Sequence, residues 1–350
     1  MKILLLDFGK NYRGGQRQVM YLAKHLKLAS WFTPVIAAPS SAPLLKEAQI
    51  NGIETVGLPN GMDLCPRNIF RLWRAIKDIK PAWVHTNDAK SASAAAFLKM
   101  LGGQFKLMHT RRVSYSPKGG WSLKKYTLAD KVVCVSAEIR DVMVAGGIDY
   151  NKSDVVHSGI DPERYRKSKR GNSPAVIGMV GAFTEQKGHV VLMEALHALS
   201  KRENVPHWKA ILVGDGPLLG PMQDLAEKYG IRDRITFTGY ADGRRILPTM
   251  DVFVVPSVNG EGSSGAVKEA WVCQLPLIAS DLDSNLELVQ DGINGLTFTN
   301  RDTKGLADAL EKVLTDEALA AELIANGNQR VKLFTDKAMS DSYMTIYRDK

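Results

Sequence analysis

Short, almost wholly apolar runs alternate along this chain with longer stretches in which apolar residues return every three or four positions. These are the signatures of buried parallel strands and of the helices that cover them. Residues 2–8 read as the first strand, and residues 16–28 as an amphipathic helix with Val19, Leu22, Ala23 and Leu26 on one face. Strands follow at 33–38, 83–85, 105–109 and 131–135, with a helix at 91–101, and Ser136 stands where it would cap the N-terminus of another. The polar stretch 164–174 breaks this rhythm with charges, Gly171 and Pro174, and reads as a linker. A second series then runs through strands at 176–180, 210–213, 235–238, 252–255, 277–279 and 295–298, with helices at 189–202, 221–228 and 264–272.

Alternation of this kind predicts α/β architecture: two doubly wound, Rossmann-like domains with parallel sheets facing each other. The predicted boundaries are 1–165 and 166–335. A terminal helix in 336–350 either closes the second domain or crosses back over the first. A chain of 350 residues is long enough for two separate cores. No repeat of solenoid period and no low-complexity tract interrupts it.

Charge changes the picture, because it is divided unevenly. Residues 1–165 carry 24 Lys/Arg against 13 Asp/Glu, whereas residues 166–350 carry 22 against 24. A basic first half suits an anionic partner such as a phospholipid surface or a phosphorylated glycolipid, and a merely soluble basic surface accounts for it equally. Nucleic acid is not expected as a partner, since no motif supports it. No apolar run approaches the roughly 20 residues of a membrane span, and Asp7 cuts short the opening apolar run, so a cytoplasmic protein is expected. Cys65, Cys134 and Cys273 are scattered and lack metal-ligand spacing, which predicts reduced thiols.

Candidate chemistry gathers at strand ends. Gly14-Gly15 lie between the first strand and first helix, where backbone amides can approach a phosphate or sugar, and Arg17 follows. The second domain has Gly181 to Lys187-Gly188 after its first strand, Gly214-Asp215-Gly216-Pro217 after the next and Gly239-Tyr240 after the third. Taken singly, each is ordinary turn chemistry; together they outline a rim for a nucleotide, with Lys187 beside the diphosphate. Glu261 and Glu269, with seven residues between them, flank a Gly/Ser-rich turn from strand to helix, where two carboxylates suit a polyhydroxylated phosphate ligand. His109, Arg111 and Arg112 end a first-domain strand. His109 is either a cleft residue or a histidine satisfied by local hydrogen bonds, and one of the two arginines is expected to reach an acceptor phosphate while the other snorkels to solvent. Residues 118–126 mix Lys118, Lys124 and Lys125 with Trp121, Leu123 and Tyr126, as a membrane interface or lipid-linked acceptor site would, or as a solvated loop with one buried tryptophan.

Val254-Val255-Pro256-Ser257, Glu261-Gly262, Lys268-Glu269-Ala270, Pro276-Leu277-Ile278-Ala279-Ser280 and Glu287 through Gly295 follow one another in an order that resembles the family-4 retaining glycosyltransferases. The likeness extends to Gly14-Gly15, Val135-Ser136, His157 to Asp161, the Lys187 loop and Gly214 to Pro217. It implies a GT-B fold with the C-terminal helix packing on the first domain, and a metal-independent, retaining transfer of sugar from a UDP-, GDP- or ADP-sugar, with no other cofactor. Its implied donor residues are Gly14, Gly15, Lys187, Gly214, Tyr240, Glu261, Ser263, Ser264, Gly265 and Glu269. Glu269 would hold the ribose and Glu261 the donor sugar, while the backbone amides of Ser263, Ser264 and Gly265 would meet the diphosphate. His109, Lys187 and Glu261 would carry catalysis, with Arg17, Arg111 and Arg112 toward the acceptor. A cell-envelope glycan or lipid-linked acceptor fits the basic first half, with peripheral contact at an anionic inner-membrane surface.

The chain departs from the family pattern at Ala182, where relatives carry arginine, at Leu275, where glycine is usual, and in lacking a glycine pair near Asp283-Ser284. These departures keep two alternatives open, a weakly active nucleotide-sugar-binding subunit and a nucleotide-sugar hydrolase or epimerase of the same fold. Asp281-Leu282-Asp283 matches a metal-binding triplet but corresponds to an ordinary loop in this family, so no metal is expected.

Overall fold

The computed structural model describes all residues except 60, 61, 63, 261 and 350. It contains two compact units, Met1–Gly159 with Thr335–Lys350, and Ile160–Phe334.

The first unit runs β1 (Lys2–Leu6), α1 (Gly14–Leu28), β2 (Thr33–Pro39), α2 (Pro43–Ile50), β3 (Glu54–Leu58), α3 (Pro66–Ile79), β4 (Trp83–Thr86), α4 (Ala89–Met100), β5 (Lys106–Arg111), α5 (Gly120–Thr127), β6 (Lys131–Cys134), α6 (Ala137–Ala145) and β7 (Ser153–Val155). Its strands pair in parallel in the order β3-β2-β1-β4-β5-β6-β7. Because successive strand residues point to opposite faces, Ile3 and Leu5 join the core under α1 and α2, while Leu4 and Leu6 join the one under α3, α4 and α6. Ser136 caps α6 by accepting from the Ile139 amide, as its position predicts. The region 43–80 holds a strand and two helices that the periodicity left unassigned, and 118–126 is a packed helix rather than an open loop.

The second unit runs β8 (Ala175–Val180), α7 (His189–Leu199), β9 (Trp208–Val213), α8 (Leu219–Lys228), β10 (Ile235–Phe237), α9 (Gly243–Ile246), β11 (Val252–Val255), α10 (Gly265–Val272), β12 (Leu277–Ser280), α11 (Asp283–Leu286), β13 (Leu296–Phe298), α12 (Thr303–Thr315) and α13 (Glu317–Arg330). Its parallel order is β10-β9-β8-β11-β12-β13. In each sheet the strand order reverses direction once, between β1 and β4 and between β8 and β11. The carboxyl ends of those strands are where such sheets open a crevice.

The last helix, α14 (Asp336–Arg348), belongs to the first unit. Met339, Tyr343, Met344, Ile346 and Tyr347 pack into its core. Polar contacts fix the register. The Trp83 indole donates to the Tyr347 carbonyl at 3.1 Å. His85 Nδ1 meets the Tyr347 hydroxyl at 2.5 Å and His85 Nε2 meets Thr110 Oγ1 at 2.7 Å, which in turn lies 2.8 Å from the Tyr343 hydroxyl. His25 pairs with Asp336 at 3.0 Å. A Cβ on Gly159 would lie 2.6 Å from the Asp336 Cα, so the chain passes close to the start of α14 only because that residue is glycine.

Burial pushes His85 down to about 3, helped by the charge of Arg112 and by His109, and burial likewise pushes His109 down to about 4. Both are therefore neutral in the fold but charged in the unfolded chain below pH 6.5. Stability is fully present above that pH and is lost as pH falls toward 4, by on the order of 3 kcal/mol for each histidine. Urea denaturation should show a midpoint that is flat between pH 8 and 7 and lower at pH 5. An unchanged midpoint at pH 5 would contradict the neutral, buried assignment.

Candidate functional site

In the second unit the site begins with backbone. The ends of β8, β9 and β10 are laced together: Gly181 N donates to Val213 O at 2.9 Å, Gly214 N to Gly239 O at 3.0 Å and Phe183 N to Asp215 O at 3.0 Å. Gly214 and Gly216 have φ of 144° and 152°. A Cβ on Gly214 would stand 1.9 Å from the Gly181 carbonyl oxygen, and one on Gly216 would stand 2.6 Å from that of Phe183. Glycine is needed at both positions for these turns to touch. Tyr240 projects from the third turn and is 92% exposed.

Across the β8/β11 switch point, the short 3₁₀ turn Glu185–Lys187 meets the loop that follows β11. Val258 N donates to Gln186 O at 2.9 Å, and Gln186 Nε2 donates to Gly260 O at 2.7 Å. Gly188, with φ 69°, presses so close to this loop that a Cβ would lie 1.8 Å from the Pro256 carbonyl oxygen. Lys187 is half-buried, and its stem packs beside Gly181, where a Cβ would lie 3.5 Å away. It is the one cation of the turn 181–188, in which Ala182 is exposed.

The post-β11 loop leads into α10, whose N-cap Ser264 is buried and makes no side-chain cap. The first helical amides are thus not consumed by that hydroxyl, and the positive end of the helix dipole stands there. Ser263 is held by Lys268, which is 1% exposed; its Nζ donates to Ser263 Oγ at 2.6 Å and lies 5.4 Å from the Phe334 ring centre. Gly265 opens the helix and is exposed. Glu269 is half-buried one turn further on, and its Oε1 accepts from the Tyr165 hydroxyl at 2.7 Å. Tyr165 is 104 positions away in sequence, and no local signal marks it as a partner of Glu269. Glu261 lies outside the described residues. Asp281, from the Asp-x-Asp triplet, accepts from the Asn300 amide at 2.7 Å, and among the described residues no group of three His, Cys, Asp or Glu forms a metal site.

In the first unit the β1/β4 switch point has a different chemistry. Asp7 is fully buried; its Oδ1 accepts from Gly9 N at 2.7 Å and Gln16 Nε2 at 2.9 Å, and burial followed by the neighbouring Asp88 raises its pKa. Asp88 accepts from Phe8 N at 2.7 Å and caps α4. Sequence reasoning did not single out either carboxylate; Asp7 served there only as the charge that ends an apolar run. Gly14 and Gly15 open α1. Nothing stands within 4 Å of a Cβ on Gly14, and on Gly15 such an atom would just touch Arg112, 4.0 Å away. Arg17 and Arg112 are half-buried, and Arg112 Nη1 lies 3.3 Å from Ser158 Oγ.

Three expectations for this unit are corrected. His109 is wholly buried, with Nδ1 2.6 Å from Thr86 Oγ1 and Nε2 3.0 Å from the Lys125 carbonyl, so both ring nitrogens serve the fold. Arg111 neither snorkels nor reaches outward: it is 5% exposed, donates to the Tyr126 hydroxyl at 3.0 Å and to the Tyr115 carbonyl, and packs over both rings. Residues 118–126 do not form an open basic and aromatic face. Lys125 is buried and donates to Ala89 O at 2.8 Å, Tyr126 is buried, and Trp121 packs partly against the core. The cause is common to all three: α5 lies on α4 and roofs the end of β5.

The glycine constraints can be tested directly. Gly188→Ala and Gly214→Ala each force a Cβ into a carbonyl oxygen at a positive φ, so each should destabilise the second unit by about 2 to 4 kcal/mol. Gly14→Ala, at an open surface, should change stability by less than about 1 kcal/mol. Chemical denaturation monitored by fluorescence reads all three, and equal losses would refute the close-approach account.

Comparison with known proteins bears on both units. The family model for Glycosyltransferase Family 4 matches residues 12–164, and that for Glycosyl transferases group 1 matches residues 174–316. The lipopolysaccharide core biosynthesis glycosyltransferase LpsE of Rhizobium meliloti (strain 1021) is 30% identical over 190 residues, 54% of each chain. The chain thus spans about half the length of the curated relatives it matches first. The UDP-Gal:alpha-D-GlcNAc-diphosphoundecaprenol alpha-1,3-galactosyltransferase of Escherichia coli is 25% identical over 280 residues, 72% of this chain and 71% of that one. Anabaena HepE in complex with UDP superposes with a TM-score of 0.84 at 19% identity, covering 99% of both chains, a likeness of fold. By its two family matches, its relatives and its fold, the chain belongs to the family-4 glycosyltransferases of the GT-B fold.

Proposed function

We propose that this protein is a retaining, metal-independent glycosyltransferase that moves a sugar from a nucleotide sugar to a cell-envelope glycan or lipid-linked acceptor at an anionic membrane surface. The observation that carries the reading is what gathers at the strand ends beside the β8/β11 switch point: the laced glycine turns, the Lys187 turn bonded to the loop after β11, and α10, into which that loop leads and which carries Glu269. A nucleoside diphosphate has the complementary parts. Its phosphates suit Lys187 and the amides of Ser263, Ser264 and Gly265, and its ribose diol suits the Glu269 carboxylate. Gly214 and the exposed Tyr240 lie toward the base, and Glu261 is assigned to the donor sugar. The relatives named above act in lipopolysaccharide core biosynthesis and on an undecaprenol-linked sugar, which supports the envelope reading. No helix among the described residues is long and apolar enough to cross a membrane, and the membrane contact proposed here is peripheral.

Catalysis follows as electrostatic stabilisation of a leaving group. The bond from sugar C1 to the diphosphate oxygen breaks while the acceptor oxygen bonds to C1 on the same face. The acceptor proton passes to the departing phosphate oxygen, and Lys187 with the α10 amides holds the charge that develops there. Arg17 and Arg112 in the first unit are the acceptor-side candidates, Arg112 being favoured by its position beside Gly15, and Gly14 and Gly15 stay assigned to the donor.

The test is nucleotide release from UDP-, GDP- and ADP-sugars incubated with membrane lipid extract, with and without EDTA. Release that depends on the extract and survives EDTA is expected, with a product of the donor's anomeric configuration. Loss in EDTA would contradict the metal-free mechanism, and nucleotide binding without release would favour a non-catalytic binding subunit. Glu269→Ala should weaken nucleotide binding at least tenfold. Tyr165→Phe, which removes one hydrogen bond from the Glu269 carboxylate, should weaken it about fivefold. Unchanged affinity in both would remove the ribose role from Glu269.

A further inference from the structure

We infer that α3 is the face by which this protein rests on an anionic lipid bilayer. The inference rests on the membrane-surface reading above and names the surface that makes the contact.

The helix has three sides. Asn68, Leu72, Ala75 and Ile79 are buried against the first-unit sheet. Phe70 and Trp73 point away from that core, 61% and 42% exposed, with ring centres 5.9 Å apart. They border an open groove of about 500 Å³ shared with Leu64, Phe97 and Leu101. Beside this apolar strip stand Arg67, Arg71, Arg74, Lys77 and Lys80, all exposed, against a single acid, Asp78. The Arg74–Asp78 pair spans 3.9 Å with both side chains largely in solvent, so it neutralises little of that charge. Lys77 Nζ sits 4.0 Å from the Trp73 ring centre, drawing cation and aromatic into one patch.

A bilayer surface satisfies both halves of this arrangement at once. Aromatic rings settle at the headgroup level, and arginine and lysine stems lie along the apolar boundary with their charges on lipid phosphates. The excess of four basic groups over one acid on the same helix, with Lys80 at its C-cap, gives the charge complementarity to an anionic leaflet. The 118–126 segment is the weaker candidate, because Lys125 and Tyr126 are buried on the inner face of α5 and Trp121 packs partly against the core.

The experiment is co-sedimentation of the full chain with vesicles of phosphatidylglycerol and phosphatidylethanolamine, and with pure phosphatidylcholine vesicles. Two variant pairs probe α3, Phe70→Ser with Trp73→Ser and Arg71→Glu with Arg74→Glu. Lys118→Glu with Lys124→Glu probes the other basic segment. All four α3 side chains are exposed, and circular dichroism melting confirms folding of each variant. The expected result is binding to the anionic vesicles alone, reduced roughly tenfold or more by either α3 pair and retained by the Lys118/Lys124 pair. Vesicle binding that both α3 pairs leave intact would overturn the assignment to α3 while the membrane reading stands. No binding of the unaltered protein to anionic vesicles would overturn both. Unaltered vesicle binding together with an oligomeric state that the α3 pairs change, read by light scattering, would assign the face to a second copy of the chain and overturn the proposal.

Discussion

Gly188 leaves no room for a side chain: the Pro256 carbonyl oxygen lies 1.8 Å from where its Cβ would be. That close approach, together with the hydrogen bonds of Gln186 to Val258 and Gly260, ties the turn after β8 to the loop after β11, the two segments that flank the switch point of the second sheet. Lys187 precedes it and α10 follows the loop, so the cation and the helix N-terminus are positioned by the same backbone contact. Gly214 and Gly216 extend the principle to the turn after β9, where the carbonyl oxygens of Gly181 and Phe183, after β8, occupy the places of absent side chains. The fold can supply this rigidity only where the residue is glycine.

The two units use their switch points differently. In the second, Lys187 and the N-terminus of α10 supply positive charge and amide dipoles, and Glu269 of the same helix accepts from the Tyr165 hydroxyl. In the first, two carboxylates meet: Asp7, buried and pushed toward its neutral form, and Asp88, which spends its lone pairs on backbone amides. Arg112 lies close enough to Asp7 to oppose that upward push. Under the proposed function a phosphate-bearing donor suits the former and a hydroxylated or phosphorylated acceptor the latter, although the excess of basic residues along the chain lies in the first half.

Most strands of both sheets are legible in the sequence because parallel strands buried on both faces are continuous apolar runs, as are the glycine turns that end those of the second unit; the edge strands β3 and β7, only partly buried, are not. What the sequence obscured has physical causes. The buried stripe of α3 includes Asn68, and its two aromatics lie outside that stripe, which blurs its period. Lys118 to Tyr126 looked open because lysine is normally solvated, yet Lys125 reaches a carbonyl at the start of α4. His109 and Arg111 stand at a strand end, where a ligand contact and a structural contact look identical until the covering helix is seen. The Tyr165–Glu269 bond joins residues too distant for any local pattern to predict.

The central claim, that the crevice at the β8/β11 switch point holds the nucleotide, is most directly tested by hydrogen–deuterium exchange of the intact protein with and without saturating UDP. The account predicts slowed exchange concentrated at amides in 181–188, 214–216 and 263–266, with little change at the first-unit residues 14–17. Protection absent from those second-unit segments, or confined to the first unit, would contradict it.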